Sequence, residues 1–191
     1  MIEILKTEIP DLILIKPKVF SDARGYFFES YNEKKMQEKE LQYNFVQDNQ
    51  SFSYYGTLRG LHYQRGKYAQ TKILQAIQGR ILDVVVDLRP ESPTFKRSYT
   101  VELNDANHLQ ILVPKRFAHG FVVLSESALV GYKCDNYYSP EHEGGIHHAD
   151  PDLQIDWLIP VEKRSGALLS SPSCLLPAGD PFPALLLTIG Q

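Results

Sequence analysis

The sequence predicts an all-β protein, a closed barrel or two-sheet jelly roll with a few short helices. Two observations carry this. Apolar segments of four to eight residues recur along the 191-residue chain, separated by turn residues. Only one stretch has the composition of a helix. No internal repeat and no long linker divides the chain, so residues 1–191 are expected to form a single domain, with an atypical tail over 158–191.

The elements follow in order. Residues 12–15 and 19–20 are short strand candidates separated by Pro17, and 25–31 alternates with aromatics as a further strand. Residues 33–41 are rich in Glu, Lys, Gln and Met and form the helix candidate, with Asn32 as its N-cap. Residues 72–77 and 81–88 flank Gln78-Gly79-Arg80 and predict a hairpin. Residues 95–103, 110–113, 120–124 and 128–134 supply more strands. After Trp157 the text becomes Ser- and Pro-rich. Pro172, Pro177, Pro181 and Pro183 argue against regular structure there, and the tail is expected to wrap the surface or to be partly disordered.

Composition excludes several function classes. Hydrophobic residues are 43%, charged residues 23% and the net charge is −3. No basic stripe is present, so nucleic acid is not an expected partner. The two cysteines, Cys134 and Cys174, make neither a disulfide framework nor a zinc ribbon, as befits a reducing cytoplasm. The N-terminus lacks the shape of a signal peptide, and the apolar runs are too short and too charged for a transmembrane helix. No Gly-x-Gly-x-x-Gly, P-loop or Gly-x-Ser-x-Gly elbow appears, so no nicotinamide, ATP or serine-nucleophile site is indicated.

The most informative stretch is Leu58-Arg59-Gly60-Leu61-His62-Tyr63-Gln64. On a regular strand, Arg59 and His62 would point to opposite faces. Gly60 changes this, because a strand glycine often marks a bulge. With a bulge both side chains can face one cavity. Arg suits a phosphate and His suits proton transfer near neutral pH. The plainer reading is a surface arginine beside a packed core histidine. Further polar groups lie where a barrel gathers them: Lys72, His119, Tyr132, Tyr138, Arg24, Glu29 and the Gln47-Asp48-Asn49 run. Metal catalysis is not expected. A His-x-His pair is missing, since Gln64 stands two after His62, and the adjacent His147 and His148 would face opposite ways on a strand.

Six motifs, in order, resemble one known family. They are residues 20–32 (Phe-Ser-Asp-Ala-Arg-Gly-Tyr-Phe-Phe-Glu-Ser-Tyr-Asn), Val46 with Gln47-Asp48-Asn49-Gln50-Ser51, the heptapeptide at 58–64, Val86-Asp87-Leu88-Arg89, 114–121 and 132–140. Over about residues 2–157 the chain is similar to the dTDP-4-dehydrorhamnose 3,5-epimerases of the cupin superfamily. That resemblance implies a cupin-type jelly roll and a metal-independent isomerase of dTDP-rhamnose biosynthesis, serving a cell-envelope polysaccharide. Its substrate would be a 6-deoxy-4-keto hexose on dTDP, and no cofactor would be used. By the same resemblance His62 is the base, Tyr132 the acid on the far side of the sugar, and Lys72 the group that stabilises the enolate. Arg59 and His119 match positions near the sugar and diphosphate, and Tyr138 matches a ring that stacks on thymine. Glu143 and Gln47, Asp48 and Asn49 match nucleotide-binding positions. Arg24 and Glu29 match a strand that reaches a neighbouring subunit's site, which implies a homodimer with exchanged N-terminal strands.

One departure stands out. Family members usually follow the Trp157-like position with Leu-Ser-x-Lys-Asp, whose Asp orients the catalytic His. Here Leu169-Ser170-Ser171-Pro172-Ser173 matches only at Leu-Ser, and Asp180 lies several residues too late. Asp180 is the candidate substitute. The alternatives are a C3-only epimerase and a sugar-nucleotide-binding cupin with impaired catalysis.

Overall fold

The computed structural model describes residues 2–166. It is an all-β sandwich of the cupin jelly-roll kind, as expected. One six-stranded sheet runs β1 (Glu3–Lys6), β2 (Ile13–Lys16), β10 (Gln110–Val113), β7 (Lys72–Gln78), β12 (Ser127–Cys134), β5 (Gln47–Tyr54). The second runs β13 (Glu143–Gly145), β6 (Thr57–Gln64), β11 (Phe117–Val123), β8 (Arg80–Asp87), β9 (Ser98–Asn104). A last short strand, β14 (Ser165–Gly166), pairs in parallel with β6. A separate hairpin joins β3 (Phe20–Asp22) to β4 (Gly25–Phe27) and pairs with no other described strand.

Three apolar layers hold this together. Between the sheets lie Leu14, Leu74, Ile111 and Val130 from the first, against Ile81, Val85, Leu103, Phe117 and Phe121 from the second. The outer face of the second sheet, with Leu58, Leu61, Leu82, Val84, Val86 and Val122, is covered by Ile146, Leu153, Trp157 and Ile159. Trp157 is fully buried and its indole N–H donates to the His148 carbonyl at 2.9 Å, so its one polar atom is satisfied. The outer face of the first sheet packs Ile15, Ile73 and Leu112 on Met36. β8 is therefore covered on both faces, which explains its nearly unbroken apolar run.

Several elements differ from the sequence expectation. β7 and β8 do not form a hairpin. β7 pairs with β10 and β12 in one sheet, whereas β8 pairs with β11 and β9 in the other. Gly79, at φ +79°, turns the chain across the sandwich, so that Leu74 and Ala76 face Ile81 and Val85 through the core. The helix α1 (Glu33–Gln37) is capped by Asn32, whose side chain accepts from the Lys35 N–H, but it ends before residue 41. Met36 is its only buried side chain, and Glu40 at φ +63° breaks the spiral. The expected strand at 25–31 is reduced to Gly25–Phe27. The first part of the atypical tail is regular: a short helical turn at Val161–Lys163 leads into β14.

Candidate active site

A cavity of about 790 Å³ opens between the two sheets. β6 brings Arg59 and His62 to it together, by the bulge that Gly60 suggested. Across β11, His119 pairs with His62 and Phe121 with Arg59, so Gly60 and Leu61 of β6 together face the single residue Gly120 of β11. Leu58, Leu61 and Tyr63 meanwhile point to the outer apolar layer. Only glycine fits the bulge. Gly60 has φ +120°, and a Cβ there would lie 2.5 Å from the Gly120 Cα and 2.7 Å from the His119 carbonyl oxygen.

The first sheet supplies the opposite wall. Tyr132 and Cys134 of β12 lie beside Leu74 and Lys72 of β7 in register, and all four line the cavity. The Lys72 ammonium stands 5.9 Å from the centre of the Tyr132 ring. Burial is the main cause that pulls the Lys72 pKa below the ordinary lysine range. Burial pushes the Tyr132 phenol up, helped by Cys134 and opposed by Arg59, so it stays protonated at neutral pH. His62 moves down, chiefly through burial; Glu143 opposes that shift, while Lys72, His119 and Arg59 add to it. A neutral imidazole is the form a general base needs.

Hydrogen bonds fix the remaining groups. His119 donates from Nε2 to Asp83 Oδ2 at 2.8 Å, and both side chains are buried. Arg59 donates from Nε to Ser53 Oγ at 2.9 Å. Tyr138 donates its hydroxyl to Glu143 Oε2 at 2.9 Å and its backbone N–H to Gln47 Oε1 at 3.2 Å. The other oxygen of Glu143 lies 3.3 Å from His62 Nδ1.

Of the residues named from sequence, His62, Tyr132, Lys72, Arg59, His119, Gln47, Asn49, Tyr138 and Glu143 all line this one cavity. Asp48 does not. Strand alternation on β5 turns it outward, where its carboxylate accepts from Lys133 Nζ at 2.5 Å. Arg24 and Glu29 are also away from it. The Arg24 side chain is 90% exposed and pairs with Asp22 at 2.6 Å, and Glu29 pairs with Lys35. Asp180 lies outside the described residues. His147 and His148 are not on a strand, and their rings stack at 4.6 Å. Among the described residues, no group of three or more His, Cys, Asp and Glu side chains is placed to hold a metal ion.

Sequence reasoning missed Asp83. Its signal was an acid embedded in the apolar run Ile81-Leu82-Asp83-Val84-Val85-Val86, since a carboxylate buried on a core strand needs a partner. It also missed Ser51, Gln64, Gln70 and Ser165, whose side chains line the cavity without any distinguishing local motif.

Comparison with known proteins gives the family. The family model for dTDP-4-dehydrorhamnose 3,5-epimerase matches residues 6–172. The dTDP-4-dehydrorhamnose 3,5-epimerase of Salmonella typhimurium is 49% identical over 158 residues, covering 82% of this chain and 86% of that protein. The crystal structure of the enzyme of the same name from Elizabethkingia anophelis is 51% identical, with a TM-score of 0.83 over 87% of this chain and 91% of its own. That of the Legionella pneumophila dTDP-6-deoxy-D-glucose-3,5-epimerase, solved in complex with dTDP-4-keto-L-rhamnose, is 43% identical, with a TM-score of 0.84 over 91% and 90% of the two chains. By that match and those identities, this chain belongs to the dTDP-4-dehydrorhamnose 3,5-epimerase family.

Proposed function

We propose that this protein epimerises C3 and C5 of dTDP-4-dehydro-6-deoxy-D-glucose to give dTDP-4-dehydro-L-rhamnose. The observation that carries the mechanism is that His62 and Tyr132 line one cavity from opposing sheets, with Lys72 beside Tyr132. Protons on C3 and C5 are acidic because both carbons flank the C4 ketone. His62 takes such a proton, the C–H electron pair forms a carbon–carbon double bond to C4, and the carbonyl π pair moves onto oxygen to give an enolate. Lys72 stabilises the charge on that oxygen. Tyr132 then delivers a proton to the opposite face of the carbon, which inverts it. Removal and delivery from opposite faces need two groups on opposite walls. The ketone is itself the electron sink, so the chemistry calls for no cofactor.

For binding, Arg59 and His119 hold the sugar and diphosphate, Gln47, Asn49 and Glu143 the nucleoside, and Tyr138 stacks on thymine. In the isolated protein, dTDP-4-dehydro-6-deoxy-D-glucose should convert to the C3,C5-inverted product at an undiminished rate after treatment with a chelator. Proton NMR of the sugar reads this. No conversion, or a loss that a divalent ion restores, overturns the proposal.

The protein is further proposed to act in the cytoplasm as a homodimer. The β3–β4 hairpin exposes Phe20 (54%), Tyr26 (57%) and Phe27 (65%) around Arg24. An apolar hairpin with unpaired edges favours pairing with a second copy, and a two-fold arrangement would bring Arg24 and Glu29 to the partner's cavity. Sedimentation at working concentration should give a dimer, and a monomer with full activity at nanomolar concentration contradicts it.

A further inference from the structure

The geometry points to Glu143 as the carboxylate that positions the His62 imidazole for proton abstraction, a role that rests on the epimerase reading of the cavity. Glu143 opens β13, which runs antiparallel to β6 with Gly145 opposite His62 and Glu143 opposite Gln64. The two strands lie flush because Gly144 has no side chain. A Cβ there would come within 2.5 Å of the Tyr63 ring. This sets Glu143 Oε1 3.3 Å from His62 Nδ1. Nδ1 is shielded from water and has no hydrogen-bond partner among the described residues. The other carboxylate oxygen accepts from the Tyr138 hydroxyl at 2.9 Å. Glu143 is thus anchored at one oxygen and presents the second to the His62 Nδ1 nitrogen.

Catalytic hydrogen bonds are often long or misaligned in an empty site and tighten around substrate. A proton on Nδ1 directed at Glu143 leaves Nε2 free as the base. Once His62 has taken the substrate proton, the carboxylate faces an imidazolium. The other groups around the ring oppose that charge: Lys72 from β7, His119 from β11 and Arg59 from β6. Tyr132 on β12 is a neutral phenol, and Asp83 on β8 is engaged by His119. Among the described residues, Glu143 is the group that favours the imidazolium.

The test is a histidine titration by NMR on ¹⁵N-labelled protein without substrate, with His62→Asn assigning the His62 signals. In the wild-type protein, neutral His62 should carry its proton on Nδ1. In Glu143→Gln the His62 midpoint should fall, because a carboxylate that favours the charged ring is gone. Solvent-deuterium exchange at C3 and C5 of the substrate should slow by roughly 10-fold or more, within the range of general-base effects. An unchanged midpoint in Glu143→Gln overturns the proposal. So does a midpoint that moves in Asp180→Asn and not in Glu143→Gln. If the variant fails to fold, the wild-type tautomer still decides, and a proton found on Nε2 overturns it. The titration uses no substrate, so a wild-type protein without exchange activity would count against the epimerase reading and leave the Glu143 pairing standing.

Discussion

Replacing His62 with Asn should lower deuterium exchange at C3 and C5 by about 10³- to 10⁴-fold, the upper part of the range for general acid–base catalysis. The reason is specific. Of the other groups on the cavity wall, Lys72 is assigned to the enolate oxygen, Tyr132 is a phenol held protonated by burial, and His119 has its Nε2 proton committed to Asp83. His62 joins a depressed pKa to an imidazole on the cavity wall, the side chain whose proton transfer belongs near neutral pH. The sign of the pH dependence follows. A base works deprotonated, so kcat/KM should fall as pH drops through the His62 pKa. Burial has moved that pKa down, so the acid limb should lie below the ~6.5 of an unperturbed histidine. Binding of dTDP, measured by calorimetry, should persist, because Arg59 and Tyr138 are untouched. Near-normal exchange in His62→Asn would mean that another group is the base.

Tyr132→Phe should separate two activities that run together in the wild type. The enolate still forms at His62 and can take its proton back on the face it left. Exchange should therefore survive better than inversion. Product formation should fall by about 10²- to 10³-fold, as for loss of one proton-transfer partner. The substitution removes one hydroxyl and keeps the ring near Lys72, so folding should be little affected. Equal loss of exchange and inversion would contradict the division of labour between the two walls.

Much of this was legible in the sequence, for identifiable reasons. The strands that bury apolar residues on at least one face, such as β8 and β12, announced themselves by hydrophobicity. β5 did not, because its cavity-facing residues Gln47, Asn49 and Ser51 are polar for binding rather than apolar for packing. The same alternation explains why Gln47-Asp48-Asn49 could not be taken as a unit, since its middle member faces away from the cavity. Gly60 was informative because a bulge is a local event whose signature is local. The Gly79 turn misled because a glycine corner within one sheet and a crossing between sheets carry the same local signature, and only the distant partners β10 and β11 tell them apart. Asp83 and the contact between Glu143 and His62 were out of reach for a like reason. Each pairs residues separated by tens of positions in the chain, with spacing set by the fold.

The measurement that bears most directly on the central claim is solvent-deuterium incorporation into dTDP-4-dehydro-6-deoxy-D-glucose, followed by NMR with the wild-type protein in D₂O. Abstraction by His62 with delivery by Tyr132 from the opposing sheet requires label at both C3 and C5, appearing in the inverted product. Label at C3 alone would make this a single-centre epimerase, and no label at either carbon would mean that the cavity binds the sugar nucleotide without performing the chemistry.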